Sequence, residues 1–186
     1  MTGNVPRRAD ALRNHERIVA AARELFTAKG LQVTVPEIAE HAGVGRATVY
    51  RSYPSKQDLI VAVARQQFAE LEEQTRGALR AADPYREFRS YLPDLFVRLA
   101  RDRVLADAFF AGEIVPAARI LELIGHLVQA AKAFGPIRPD AGELDVRVIL
   151  CGAVRQLIVL GQDDPAVWRR YGELVLNAFH ASATPH

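Results

Sequence analysis

The chain has one cysteine, one methionine and one tryptophan in 186 residues, few aromatics, and little charge of either sign in excess. A single thiol, Cys151, excludes an internal disulfide and a cysteine-based metal site, and it suits a reducing compartment. No apolar run reaches the 18 residues that a membrane-spanning helix needs. Arg7, Arg8, Arg13 and Arg17 crowd the N-terminus without an apolar segment after them, so a signal peptide is not expected. Sequence signatures of enzymes are also missing. There is no HExxH, no Gly-rich phosphate loop, no GxSxG, and no histidine evidently partnered to Cys151. The five histidines are scattered, and His41 has no metal-ligand neighbour in sequence.

What is present is ordinary globular composition, 49% hydrophobic and 25% charged, rich in alanine and arginine, which favour helix. The net charge of +2 is unevenly spread. Residues 1–56 hold nine Lys/Arg against five Asp/Glu, while the remainder holds 15 against 17. The basic surplus therefore sits at the N-terminal end, where a polyanion would be met.

That end also carries the most informative stretch, residues 34–56. Thr34 and Glu37 form a capping box, each side chain satisfying an orphan N–H at a helix start. Pro36 falls in the first turn, where a missing N–H costs nothing. Gly43 stands where a helix would end in a left-handed residue. Val35, Ile38 and Ala39 give one apolar face, Val44 and Val49 another. Ser55 and Asp58 repeat the cap-plus-acid pattern behind Pro54. The spacing predicts helices at 35–42 and 46–52, with a third opening at Ser55. This is a helix-turn-helix, whose second helix enters the DNA major groove.

The stretch resembles the DNA-binding region of the TetR family of bacterial transcriptional regulators. The resemblance rests on Thr34, Ile38, Ala39, Ala42, Gly43, Val44, Thr48, Val49, Tyr50, Tyr53, Lys56 and Leu59, and on the preceding helix from Ile18 to Phe26 with Lys29 and Gly30. It covers residues 14–60. Two positions depart from the family pattern: Gly45 stands where Ser is frequent, and Ser52 where His is. Glycine is nearly as good an N-cap as serine, so the helix start survives. By this resemblance Arg46, Ala47 and Arg51 are the base-reading candidates. Arginine is shaped for bidentate bonding to guanine, and the Ala47 methyl suits a thymine methyl. Thr34, Thr48, Tyr50, Ser52 and Lys56 would hold phosphates, with the aromatic Tyr53 completing the surface. Thr34 and Lys56 also lie at helix N-termini, which favour anions. In isolation, Arg46 and Arg51 would read as solvated surface charges.

The whole chain reads as all-α with about nine helices, in three parts: a polar arm over 1–13, the helix-turn-helix domain over 14–54, and a helical ligand-binding and dimerisation domain over 55–186. The arm is either a disordered start or a basic extension that touches the DNA backbone or minor groove. In the first domain a helix over 14–29 carries Ile18, Ala22, Leu25 and Phe26 inward. The helix opened by Ser55 runs to about residue 81. Asp83-Pro84 caps the next, which Pro93 is expected to kink or split. Short helices over 102–111 and 115–134 follow; Asp140 and Glu143 cap a helix running to about Gly161, and Asp164-Pro165 opens the last.

A single helix-turn-helix contacts few bases, so a homodimer on a palindromic operator is expected. The last two helices are the candidate interface. They carry Leu144, Val148, Cys151, Gly152, Leu157, Ile158 and Val159 on one, and Trp168, Tyr171, Leu174, Val175, Leu176 and Phe179 on the other. The alternative is that these faces pack within one chain. Relatives of the TetR type hold a small-molecule effector in the middle helices, and there the aromatics gather. Phe68, Tyr91, Phe96, Phe109 and Phe110 are the apolar pocket candidates, each equally readable as core. His126, Cys151 and Arg155 interrupt apolar helices and are the polar candidates. The mixture suggests a largely apolar effector with one polar or anionic group. No cofactor, metal or membrane is implied, and the resemblance implies a cytoplasmic repressor. A helical enzyme, or a binding protein that keeps the fold without reading DNA, are the rival readings.

Overall fold

The computed structural model describes the backbone over residues 5–108 and 115–181, and side chains over 10–102, 104–107 and 118–181. Among the described residues nine helices make the fold. They are α1 (Val5–Lys29), α2 (Val35–His41), α3 (Arg46–Ser52), α4 (Lys56–Arg80), α5 (Pro84–Arg101), α6 (Arg103–Ala108), α7 (Val115–Ala131), α8 (residues 143–159) and α9 (Pro165–Ala178). Among the described residues the one strand-like feature is an isolated antiparallel bridge between Ile137 and His180. No described helix is long and apolar enough to cross a membrane.

The chain divides into two compact units, Met1–Gln66 and Gln67–His186. The division falls inside α4 and not at its start, because Leu59 and Val63 on its first turns are fully buried and belong with the first unit. Helix α1 begins at Val5, so most of the stretch expected as an arm is helical. Nothing between Pro6 and Lys29 breaks a helix, and proline is tolerated in a first turn. Its inward stripe is the expected one, with Ile18, Ala22, Leu25 and Phe26 all buried.

In the second unit α9 packs along α5. Asp83 and Asp164 cap these helices as their sequences dictate, accepting from Arg86 N–H at 3.0 Å and Ala166 N–H at 2.8 Å. Pro93 does not split α5, which runs unbroken through it. The proline ring lies in the interior of the unit, and Gly172 of α9 lets the backbones approach: a Cβ there would lie 2.8 Å from Pro93 Cα. Trp168 is fully buried beside Phe96, ring centroids 6.3 Å apart, and its indole N–H donates to the Gln162 carbonyl at 3.1 Å. Phe88 and Phe179 meet edge to face.

Helix α8 departs from expectation at its cap. Gly142, not Asp140, is the N-cap, and its N–H donates to Asp145 Oδ2 at 2.8 Å. Asp140 instead faces Arg138 at 3.2 Å, and Glu143 pairs with Arg147 at 2.9 Å. The helix starts with the short segment Glu143–Asp145, passes through a π-type turn over Val146–Leu150, and continues as Cys151–Val159.

Candidate nucleic-acid interface and effector site

In the first unit every expected local feature of the helix-turn-helix is formed. The Thr34 N–H donates to Glu37 Oε2 at 2.8 Å, and Glu37 N–H donates back to Thr34 Oγ1 at 3.4 Å. These bonds from the Thr34 backbone and hydroxyl, with Lys29 3.6 Å away, hold the Glu37 carboxyl below its ordinary pKa. Gly43 takes a left-handed conformation, φ +62°, which glycine adopts without steric cost. The following Val44 N–H closes the turn by donating to the Ala39 carbonyl at 3.0 Å. Helix α3 then starts from Gly45, whose carbonyl accepts from Thr48 N–H at 2.9 Å.

On α3, Val49 is fully buried while Arg46, Ala47, Tyr50, Arg51 and Ser52 are exposed. Burying Val49 anchors the helix and turns the other face outward, as the 3.6-residue period requires. Thr48 is half-buried, and its hydroxyl accepts from Arg51 Nη2 at 3.1 Å, which orients one guanidinium along the exposed face.

Four contacts hold these short helices in place, and local sequence spacing signals none of them. Arg17 of α1 donates to the Gly43 carbonyl at 3.1 Å, on the turn itself. His41 Nε2 lies 2.8 Å from Glu24 Oε2. Lys56 donates to the Leu31 carbonyl. Tyr53 is 6% exposed, with its hydroxyl 2.6 Å from His15 Nδ1 and the two rings stacked 5.7 Å apart. Burial pushes the Tyr53 phenol up to about 12, so it stays protonated beside His15. Tyr53, a DNA-contact candidate by resemblance, is thus a buried residue at the end of the recognition helix. Thr34 and Lys56 are also partly committed, since the Thr34 N–H is taken by Glu37 and the Lys56 ammonium already serves Leu31.

In the second unit the side chains expected to line a pocket are dispersed. Phe68 and Phe96 are buried in the core. Phe109 and Phe110 lie outside the described residues. His126 and Arg155 are exposed, because each points off the apolar stripe that surrounds it in sequence. Cys151 is half-buried, its thiol pushed up by burial against a smaller opposing effect of Arg147. Tyr91 lines a groove of about 540 Å³ between α4 and α5, with Leu71, Gln74, Gly77, Leu95 and Arg98.

Along this α4–α5 seam runs a row of polar contacts that sequence reading missed. Thr75 donates to the Leu71 carbonyl at 2.7 Å, so its oxygen accepts from the Tyr91 hydroxyl, also at 2.7 Å. Burial pushes Tyr91 up to about 12, with Thr75 and Arg98 opposing the shift. Arg98 donates to Glu70 at 2.9 Å and Gln74 at 3.0 Å. Deeper in, Gln67 is fully buried and donates through Nε2 to Asp102, while its Oε1 is buried without a hydrogen-bond partner. The only sequence trace is the four-residue recurrence Gln67, Leu71, Thr75 on one face of α4.

The last two helices split as helical spacing dictates. Leu157, Trp168, Val175, Leu176 and Phe179 are buried within the unit. Leu144, Val148 and Val159 of α8 are 73%, 63% and 68% exposed, and Tyr171 and Leu174 of α9 are exposed beside polar neighbours.

Comparison with known proteins agrees with this architecture. The family model for bacterial regulatory proteins of the tetR family matches residues 18–70. A TetR transcription regulatory protein from Mycobacterium vanbaalenii is 36% identical over 84% of this chain and 96% of its own, with a TM-score of 0.61. The TetR transcriptional regulator SCO0520 from Streptomyces coelicolor is 30% identical over 90% and 99%, with a TM-score of 0.63. The HTH-type transcriptional repressor KstR of Mycolicibacterium smegmatis is 29% identical over 119 residues, and the match spans 58% of each chain. A match to the regulator YvkB of Bacillus subtilis spans 36% of that protein at 39% identity. With a helix-turn-helix formed residue by residue and full-length structural relatives at 30% identity and above, the chain belongs to the TetR family, and is a DNA-binding transcriptional regulator and not an enzyme.

Proposed function

We propose that the protein is a cytoplasmic repressor that binds a palindromic operator as a homodimer and is released by a small effector. The observation that carries this reading is the exposed row Arg46, Ala47, Tyr50 and Arg51 on a helix pinned from behind by Val49 and Tyr53. Arg46, Ala47 and Arg51 read base edges, each bidentate arginine contributing ~1–3 kcal/mol of discrimination. Thr34, Thr48, Tyr50, Ser52 and Lys56 lie along phosphates. The exposed aliphatic face of α8 and α9 supplies the dimer contact, with Leu144, Val148, Val159 and Leu174 at its centre. The effector occupies the α4–α5 seam. Its apolar body lies on Leu71, Tyr91 and Leu95, and its polar group competes for Arg98 or Thr75. Because α4 runs from the first unit into the second, a shift of this helix is the route by which an effector alters DNA binding.

The test is selection of bound sequences from a random DNA pool by the purified protein at near-physiological salt. Recovery of two inverted half-sites, centred about one helical turn or a multiple apart, is the expected result. A lone half-site would refute the dimer, and no enrichment would refute operator binding. Affinity for the recovered operator should fall with salt, with a log–log slope of about −0.9 per phosphate neutralised.

A further inference from the structure

A second groove, about 610 Å³, lies between α5 and α9 and shares only Ser90 and Asp94 with the effector seam. Its lining includes three arginines, Arg86, Arg89 and Arg169, against two carboxylates, Asp94 and Glu173. Arg169 is committed to Asp94 at 2.9 Å. Arg86 and Arg89 are exposed on the same face of α5, three residues apart, and neither ion-pairs with a carboxylate among the described residues. Arg89 lies over the Tyr85 ring at 5.8 Å, which steadies the guanidinium without neutralising it. Across the groove stand the Asn177 amide and the His180 imidazole, the latter 3.2 Å from the Tyr85 hydroxyl. Two uncommitted guanidiniums facing a concave surface with further hydrogen-bonding groups form a receptor for a compact dianion.

We propose that the α5–α9 groove binds a phosphate-type oxyanion through Arg86 and Arg89, with Asn177 as a further donor. Paired guanidinium forks match the several oxygens and double charge of a phosphate better than a single carboxylate. Asp94 and Glu173 in the same walls disfavour a long polyanion such as a DNA backbone. The site shares only Ser90 and Asp94 with the effector seam and does not depend on an effector binding there. His180 reports on it: burial, and then the charge of Arg89, hold this histidine below its ordinary pKa, and an anion seated on Arg89 reverses the second effect.

The experiment is calorimetric titration of the full chain at low salt with inorganic phosphate, pyrophosphate and ADP, and acetate as the charge control. Saturable binding of a phosphate compound but not acetate is expected, with affinity falling at least tenfold in R86Q/R89Q. Both side chains are exposed, and an unchanged unfolding midpoint verifies the fold of the variant. Preference for pyrophosphate over ADP would mark a free phosphate ligand, and the reverse would mark the phosphate end of a nucleotide. In parallel, pyrophosphate should raise the His180 pKa followed by NMR, and the double variant should abolish that rise. Absence of saturable binding up to roughly 10 mM, binding unaltered in R86Q/R89Q, or an unmoved His180 titration would overturn the proposal. So would displacement of pyrophosphate by a non-operator duplex, which would give the groove to nucleic acid.

Discussion

In the first unit, two of the four contacts that hold the short helices reach for backbone: Arg17 donates to the Gly43 carbonyl and Lys56 to that of Leu31. In the second unit, along the α4–α5 seam, side chains reach chiefly for one another: Gln67 to Asp102, Tyr91 to Thr75, Arg98 to Glu70. A backbone acceptor moves only if its turn moves, so the first kind of contact fixes a surface of two seven-residue helices too short to hold themselves. A side-chain pair breaks by rotamer change alone and leaves both helices intact. The reading unit is thus built to keep one shape, and the seam to admit more than one.

The comparison breaks most visibly at Asp102. Its two oxygens accept from Gln67 and from Leu105 N–H, the latter at 3.1 Å as a cap on α6. Asp102→Ala removes a cap and leaves a buried amide unpaired, at an expected cost of about 2–4 kcal/mol in chemical denaturation. Asp102→Asn should be close to neutral. Rotation of the Gln67 amide would let its orphan Oε1 accept from the new NH2 group. Equal destabilisation by the two variants would mean that charge, and not the hydrogen bond, holds the seam.

The next largest effect lies in the first unit and separates strain from tethering. Gly30 and Gly43 both have positive φ, +70° and +62°, so alanine at either costs about 1–2 kcal/mol. A Cβ at Gly30 meets nothing within 4 Å, but at Gly43 it meets Arg17 Nη2 at 2.6 Å and dislodges the tether. Gly43→Ala should therefore also weaken operator affinity several-fold, as should Arg17→Gln, while Gly30→Ala leaves affinity alone. Equal loss of affinity in the two glycine variants would show that Arg17 does not position the turn.

These two sites also show why local devices were legible and long-range contacts were not. Thr34 with Glu37, Asp83 with Pro84, and Asp164 with Pro165 are local devices whose chemistry is complete within a few residues. Gln67 and Asp102 are 35 residues apart and carry no signature until α4 and α5 are placed together. Even local devices mislead where two fit. Asp140 and Glu143 share the spacing of Gly142 and Asp145, and it is the second pair that closes, with Arg138 facing both Asp140 and Asp145. His126 and Arg155 misled for another reason. A polar residue flanked by apolar ones in sequence sits off the buried stripe of a helix, and so reaches solvent.

Alkaline titration compares the units without mutation. Tyr53 in the first unit and Tyr91 in the second both titrate near about 12, each through burial. The folded pKa values lie above the ordinary 10, so the protein binds more protons folded than unfolded between these limits. Stability should be fully present below pH 10 and decline as pH rises toward 12. Phenolate absorbance should show a late phase from these two tyrosines. Tyr53→Phe and Tyr91→Phe should each remove part of the late absorbance, and a late phase surviving both would place the buried phenols elsewhere.

The smallest effect probes how finely the recognition helix is set. Gly45 caps α3 in an extended conformation, φ −69° and ψ 145°, with no side chain to accept from the helix. An added Cβ would meet only Thr48 Oγ1, at 3.8 Å, an ordinary contact. Gly45→Ser should therefore add a cap to the Thr48 N–H and raise stability by a few tenths of a kcal/mol, about the difference between the two residues at this position. Operator preference should stay unchanged, because Arg46, Ala47 and Arg51 keep their exposure. Thr48 is the sensitive point, since its hydroxyl accepts from Arg51 Nη2 at 3.1 Å. If the serine hydroxyl takes the Thr48 hydroxyl instead, Arg51 is released, and discrimination should fall at one operator position while stability still rises. That split would make Thr48 the residue that aims Arg51, and would locate specificity in a side-chain pair on a helix whose turn is tethered through backbone.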